Sequence, residues 1–274
     1  MKKDNQLREL QLLELEALTE LRNFCKKNGM DFFLRGGSVM GAVKYKGFVP
    51  WDDDADIAIL RKDYMRLIEL TSKIDWSEKF YILSYKSNPE IHCYFPRVLL
   101  KEDERKSRGF PKNNKLGLTV IDILPIDGTP NNVIKRYIYY FLTYLYRALA
   151  GVWTMDVEDT VNMHSSKKRM ILRFLKMTGI SRLYTQVGMY NKLDKLYTKY
   201  SIEKSHYIGT ITGSLYRKEI LLKEFWGNGL EVKFENQKFL IPSHYDEYLK
   251  QLYGDNYLTY TPSVEEQYSK KHIK

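Results

Sequence analysis

Cysteine is scarce in this chain of 274 residues. The two present, Cys25 and Cys93, have neither the spacing of a metal site nor the number for a disulfide framework, which favours a reducing compartment. Low-complexity runs, internal repeats and flexible linkers are missing too. With 43% hydrophobic and 28% charged residues, the composition excludes a disordered chain and fits one large domain or one and a half. No secretory leader is visible: MKKDNQLREL is basic but has no apolar run behind it, so cytoplasmic residence is expected. The apolar and aromatic stretch from Tyr137 to Met155 contains Arg147 and many tyrosines, which makes it a poor spanning helix and predicts a buried or interfacial one.

What the chain has in excess is positive charge, a formal net of +10. Nucleic acid, an anionic membrane face and a negatively charged small substrate all fit that balance, and charge alone does not choose among them. No nucleic-acid-binding motif is present, and nucleic acid is not an expected partner.

The stretch from Phe32 to Leu60, FFLRGGSVMGAVKYKGFVPWDDDADIAIL, carries the chemistry. Phe32, Phe33 and Leu34 suit a strand, and Gly36-Gly37-Ser38 breaks it with a turn that leads into a short helix. The start of such a helix offers free N–H groups and the positive end of a dipole, so a phosphate at Gly36, Gly37 and Ser38 is expected. In DDADIAIL the period of two places Asp54, Asp56 and Ala58 on one face and Ala55, Ile57 and Ile59 on the other. Adjacent carboxylates at the start of an apolar strand are costly unless a cation sits between them, and a hard divalent ion, Mg²⁺ or Mn²⁺, suits oxygen ligands and substrate phosphates. The plainer alternative is a solvated turn from Asp52 to Asp56. The glycine turn just upstream favours the metal, because a phosphate site and a metal site explain each other.

The segment LRGGSVMGAVKYKGFVPWDDDADIAI resembles the signature of the LicD family of phosphotransferases, which includes the fukutin-type proteins and shares the nucleotidyltransferase fold. The resemblance implies Mg²⁺-dependent transfer of a phospho-alcohol, most familiarly phosphocholine, from a CDP-linked donor to a sugar hydroxyl. It implies as partners a CDP-linked alcohol donor and a glycan or lipid-linked glycan acceptor of the cell envelope. The likeness runs from the first helix to the tail and is weakest between about Asn131 and Tyr200.

In chain order, residues from about Asp4 to Asn28 predict an amphipathic helix with Asp4 as a cap, and Arg61 to Ile74 predict another. Phe80 to Leu83 and Ile91 to Leu100 read as strands around an Asn88-Pro89 turn, and KEDERKSRGFPKNNK as an exposed loop. Leu116 to Leu124 is a strand with one acid, Asp122, between Ile121 and Ile123. That acid is either an edge-strand group facing water or paired with Arg97, or a third metal ligand or general base beside Asp54 and Asp56. The resemblance places the I-D-I-L-P-I-D pattern at the third acid of the family. Arg97 is a candidate phosphate clamp, and Lys44 and Lys46 are weaker ones that a solvated surface explains as well.

The stretch Lys167 to Tyr184 predicts a basic amphipathic helix, suited either to an anionic membrane or to a solvated face over a core contact. The 22 tyrosines invite an aromatic cage for choline, against which ordinary packing is the competing explanation. Near the end, EVKFENQKFLIPSHYDEYLKQLYGDNY resembles the family's C-terminal signature. The tail departs from it, with Gln267 and Lys271-His272 standing where the family has an Arg and paired His residues.

The expected fold is α/β (α+β): a nucleotidyltransferase-like mixed sheet with flanking helices over residues 1–128, then a largely helical region over 129–274 whose last strands and helix return to the core. Catalysis and metal binding are expected at Asp54, Asp56 and Asp122, and donor phosphate at Gly36, Gly37, Ser38, Arg97 and Lys44. Two other functions fit the residues: a nucleotidyltransferase that leaves the nucleotide on its product, and a non-catalytic basic protein that binds membrane or nucleic acid.

Overall fold

The computed structural model describes residues 2–88, 91–109, 119–154 and 166–263. Among the described residues nine strands form one mixed sheet, accompanied by nine α-helices. The chain divides into two compact units: Met1–Leu83, Phe95–Ile126 and Gly209–Lys274 make unit 1, and Ser84–Tyr94 and Asp127–Ile208 make unit 2.

Unit 1 opens with α1 (Lys2–Lys27), whose Leu10, Ala17, Leu18, Leu21 and Cys25 form a buried stripe. Asp4 lies inside this helix rather than at its cap. β1 (Phe32–Leu34), α2 (Gly37–Lys44), β2 (Ala55–Leu60) and α3 (Arg61–Lys73) follow where the pattern of apolar residues predicts them. After β3 (Phe80–Leu83) only Arg97–Leu100 of the expected long strand forms, as β4. The residues before it leave the sheet, and Tyr94 is buried in unit 2 against Tyr85, Tyr190 and Tyr197. Pro89 lies outside the described residues.

The segment expected as an exposed loop begins instead with a helix, α4 (Glu102–Ser107). Its charges meet at helical spacing, Lys106 with Glu102 at 3.0 Å and Arg108 with Glu104 at 2.7 Å, and Arg105 is buried. β5 (Thr119–Gly128) begins beyond an undescribed stretch that holds Leu116.

The central strands of unit 1 owe their place to fully buried aliphatic residues, Leu34, Ile57, Ile59, Ile121 and Ile123 among them. β5 lies between β4 and β2, antiparallel to the first and parallel to the second, and β1 is antiparallel to β2. Asp122 is therefore on an interior strand and not on an edge.

Unit 2 contains α5 (Val133–Gly151), α6 (Ser166–Met177) and α7 (Gln186–Tyr197). The Asn132 side chain accepts from the Lys135 N–H to start α5, and Thr185 accepts from the Gly188 N–H to start α7. The helix expected through Tyr184 stops at Met177, and Gly179, at φ +71°, turns the chain into a single 3-10 turn. Tyr85, Tyr94, Tyr139, Tyr190 and Tyr197 are buried and pack ring on ring, so these tyrosines are core and not an open cage.

The chain re-enters unit 1 at Gly209, the last residue of β6 (Tyr207–Gly209), a shorter strand than IGTITG suggests, and β7 (Ile220–Leu222) follows. After α8 (Lys223–Trp226) comes a hairpin of β8 (Leu230–Phe234) and β9 (Gln237–Ile241), then α9 (Tyr245–Tyr253). β9 pairs parallel to β1, which fills the free side of β1. Gln267, Lys271 and His272 lie outside the described residues.

Candidate active site

The glycine turn and the carboxylate loop meet at the end of β1. The Arg35 N–H donates to the Asp56 carbonyl at 3.0 Å, and the Asp56 N–H donates to Ser38 Oγ at 3.1 Å, so the turn and the start of β2 are stitched together. Gly36 adopts φ +54°, which a side chain would strain, and its N–H donates to the Tyr248 hydroxyl at 2.9 Å. Gly37 is where the backbone approaches the acids most closely: an added Cβ would lie 2.7 Å from Asp52 Oδ2.

Register sets the second part of the site. Asp56 on β2 and Asp122 on β5 are direct partners across parallel strands, and Arg97 on β4 is opposite Asp122. Directly paired residues share a face of the sheet. Arg35 joins the row beyond β1, with Nη1 2.6 Å from Asp56 Oδ2, and Arg97 Nε lies 3.1 Å from Asp122 Oδ1. The sheet thus carries a line with two positive ends and a like-charged middle: Arg35, Asp56, Asp122, Arg97.

Arg35 is itself held from behind. Its guanidinium forms an ion pair with Glu219 and a 3.0 Å bond to Thr210 Oγ1, while Thr210 donates to Glu219 and the Leu215 N–H donates to the other carboxylate oxygen at 2.8 Å. Gly213 permits this wrapping, because an added Cβ would fall 2.0 Å from both Glu219 oxygens. Burial alone would loosen the Arg35 proton, but the charges of Glu219 and Asp56 outweigh it and push Arg35 further up.

The carboxylate loop is crowded. Asp52, Asp53 and Asp54 each offer an oxygen within 4.8 Å of the others. Asp52 is pushed well above the usual carboxylate range, first by loss of water and then by the charges of Asp54, Asp53 and Asp56, and it shares a hydrogen bond with Asp54. Three carboxyl groups in one loop fit a hard divalent cation by their chemistry, since oxygen donors of this kind are what such an ion binds. Tyr248 and Tyr253 are also pushed up, mainly by burial, and both feel the charge of Asp56, so each keeps its hydroxyl proton beside the acids.

The residues read from the sequence are not all in one place. Gly36, Gly37, Asp54, Asp56, Asp122 and Arg97 line the row and the loop, with Asp54 grouped with Asp52 and Asp53. The Gly36 N–H and the Ser38 Oγ already serve internal bonds. Lys44 reaches elsewhere, its ammonium donating to the Tyr260 carbonyl at 2.8 Å. Lys46 likewise donates to its own turn, at the Val43 carbonyl. Arg35, Asp52, Glu219, Tyr248 and Tyr253 were not singled out from the sequence. For Arg35 the signal is its place directly before Gly36-Gly37; for Glu219 no local signal exists, because its partner is 184 positions away.

Residues 29–125 match the model of the LicD/FKTN/FKRP nucleotidyltransferase domain. The chain is 26% identical over 277 residues to Lipopolysaccharide cholinephosphotransferase LicD of Haemophilus influenzae, which covers 98% of this chain and 96% of that protein. It is 29% identical over 108 residues to Ribitol 5-phosphate transferase FKRP of Mus musculus and 28% identical to that of Homo sapiens, a span of 31% of this chain and 22% of each of those proteins. The family match takes in Arg35, the Gly-Gly turn, the carboxylate loop, Arg97 and Asp122, so this part of the chain is similar to the nucleotidyltransferase domain of the LicD family.

Proposed function

We propose that this enzyme transfers a phospho-alcohol, with phosphocholine the first candidate, from a CDP-linked donor to a hydroxyl of a cell-surface glycan or its precursor. The observation that carries the reading is the Arg35–Asp56–Asp122–Arg97 row beside the Gly-Gly turn, in a chain similar over nearly its whole length to a cholinephosphotransferase.

Asp54, Asp56 and Asp122 would hold Mg²⁺ or Mn²⁺, whose charge offsets that of the donor pyrophosphate and the leaving nucleoside monophosphate. The chain's own groups do the rest. Arg35, anchored by Glu219, holds the Asp56 carboxylate in place. Gly37 lets the backbone lie directly against the Asp52 carboxylate at the start of α2, where a side chain would collide with it. Arg97 exchanges its ion pair with Asp122 for a phosphate oxygen, and Asp122, as the alternative to serving as the third metal ligand, accepts the proton of the attacking hydroxyl.

The test is Mg²⁺-dependent release of CMP from CDP-choline, CDP-ribitol, CDP-glycerol and CDP-ethanolamine with candidate glycans, each donor labelled once in the alcohol and once in the base. Label from the alcohol in the glycan supports the proposal. Label from the base there would make the protein a nucleotidyltransferase, and no release from any donor would refute phospho-alcohol transfer.

A further inference from the structure

Unit 2 has an exposed face that the reaction does not use. On α5, Ile134, Tyr137, Ile138, Phe141, Tyr144 and Leu145 are all exposed, Ile134 to 71% and Phe141 to 65%. At 3.6 residues per turn they form one stripe, opposite the buried Tyr139, Thr143 and Ala150. α6 repeats the arrangement: Met170, Ile171, Phe174 and Met177 are exposed, Met177 to 86%, while Leu172 is buried beside Gly151, where an added Cβ would lie 3.4 Å from Leu172 Cδ2. Stripes of this kind on a soluble surface mark a place where something docks.

Charge identifies the occupant. Residues 133–154 and 166–184 contain nine Lys or Arg and no Asp or Glu, which leaves 35 basic against 34 acidic residues in the rest of the chain. The net charge of +10 thus resides almost wholly in the segments that carry the apolar stripes. Arg173, Lys176 and Arg182 among them are exposed. A second copy of the chain would set the exposed Arg173, Lys176 and Arg182 against their own copies across a two-fold contact. A nucleic acid would meet the charges and leave the apolar stripes in water. An anionic bilayer satisfies both at once.

We propose that unit 2 docks peripherally on an anionic lipid surface, with the apolar side chains of α5 and α6 entering the interface and the basic residues lying at the headgroups. Among the described residues no helix is long and apolar enough to cross a membrane. The proposal stands apart from the chemistry of unit 1.

The test is sedimentation of the full chain with vesicles of phosphatidylglycerol and phosphatidylcholine, and with vesicles of phosphatidylcholine alone. Binding is expected to the first and not the second, and to fall several-fold as salt rises, since the attraction is screened. Phe174→Ser with Met177→Ser, and separately Arg173→Glu with Lys176→Glu and Arg182→Glu, should each lower the bound fraction at least several-fold, with CMP release on a soluble acceptor unchanged. No binding to anionic vesicles, equal binding to both kinds, or wild-type binding by both variants overturns the proposal. So does a dimer of the wild-type chain that the same substitutions dissociate, because the face is then a subunit contact.

Discussion

The two units bury polar atoms in opposite ways. Unit 1 takes charge into its sheet: Glu219 is 1% exposed and Arg35 5%, and each finds a full set of partners around it. Unit 2 builds its interior from tyrosines whose rings pack together, the Tyr94 hydroxyl donating to Asp194 at 2.6 Å, and its surplus charge is outside. The difference follows from cost. A buried ion carries a large desolvation penalty and is retained where geometry needs it, whereas a ring with one hydroxyl at its tip buries mostly apolar surface. Unit 1 is thus arranged around a site, and unit 2 around its packing and its outer face.

The largest effect is expected where charge serves chemistry. Asp54→Asn or Asp56→Asn should reduce turnover to background with the circular dichroism spectrum unchanged; wild-type turnover in either variant at saturating Mg²⁺ removes it from the site. Next comes Glu219→Gln, which leaves Arg35 buried with one charged partner fewer and should lower the unfolding free energy in urea by about 3 kcal/mol. A loss below about 1 kcal/mol would show that Asp56 alone suffices to hold Arg35.

Asp122→Asn should cost on the order of 10² or more in turnover, the scale for losing a general base. An unchanged rate would reduce Asp122 to the structural partner of Arg97. In unit 2 the corresponding change is milder: Tyr94→Phe removes one hydrogen bond from Asp194, which keeps Lys86 at 2.8 Å, and should cost about 1 kcal/mol. A loss like that of Glu219→Gln would erase the contrast between the units.

The smallest effect is a pH dependence. Glu235 is held below its ordinary value, first by its bond to Arg8 and then by the charge of Arg8 and the Phe48 N–H against the opposing effect of burial. Its contribution is present above the unfolded carboxylate value and is lost as pH falls through the lower folded one. Glu235→Gln should remove that part of the acid limb, worth less than about 1 kcal/mol, in urea titrations compared across that range.

Much of this architecture is legible in the chain. The glycine turn, the alternation through Asp54 to Leu60 and the apolar stripe of α1 each depend on neighbours within a few residues, and they form where the pattern puts them. Ile91–Phe95 misleads because aromatic residues suit a strand and a tyrosine core equally, and the second won. α4 was hidden because dense charge reads as loop until its i,i+4 pairs are seen. The Arg35–Glu219 pair was out of reach, since nothing near either residue reports a partner so distant in sequence.

The pairing of β1 with β9 has a consequence for biosynthesis. A ribosome releases β1 and the Gly-Gly turn early, yet the Gly36 N–H waits for Tyr248, 212 positions later, and the β1 edge waits for Leu240. The loop before the acids also needs Glu235, whose N–H donates to the Lys46 carbonyl at 2.6 Å. A nascent chain can therefore assemble the contacts of α5 and α7 while its sheet still has an open edge, which is a site for unwanted strand pairing. Truncation before β9 should leave this chain aggregating rather than partly active.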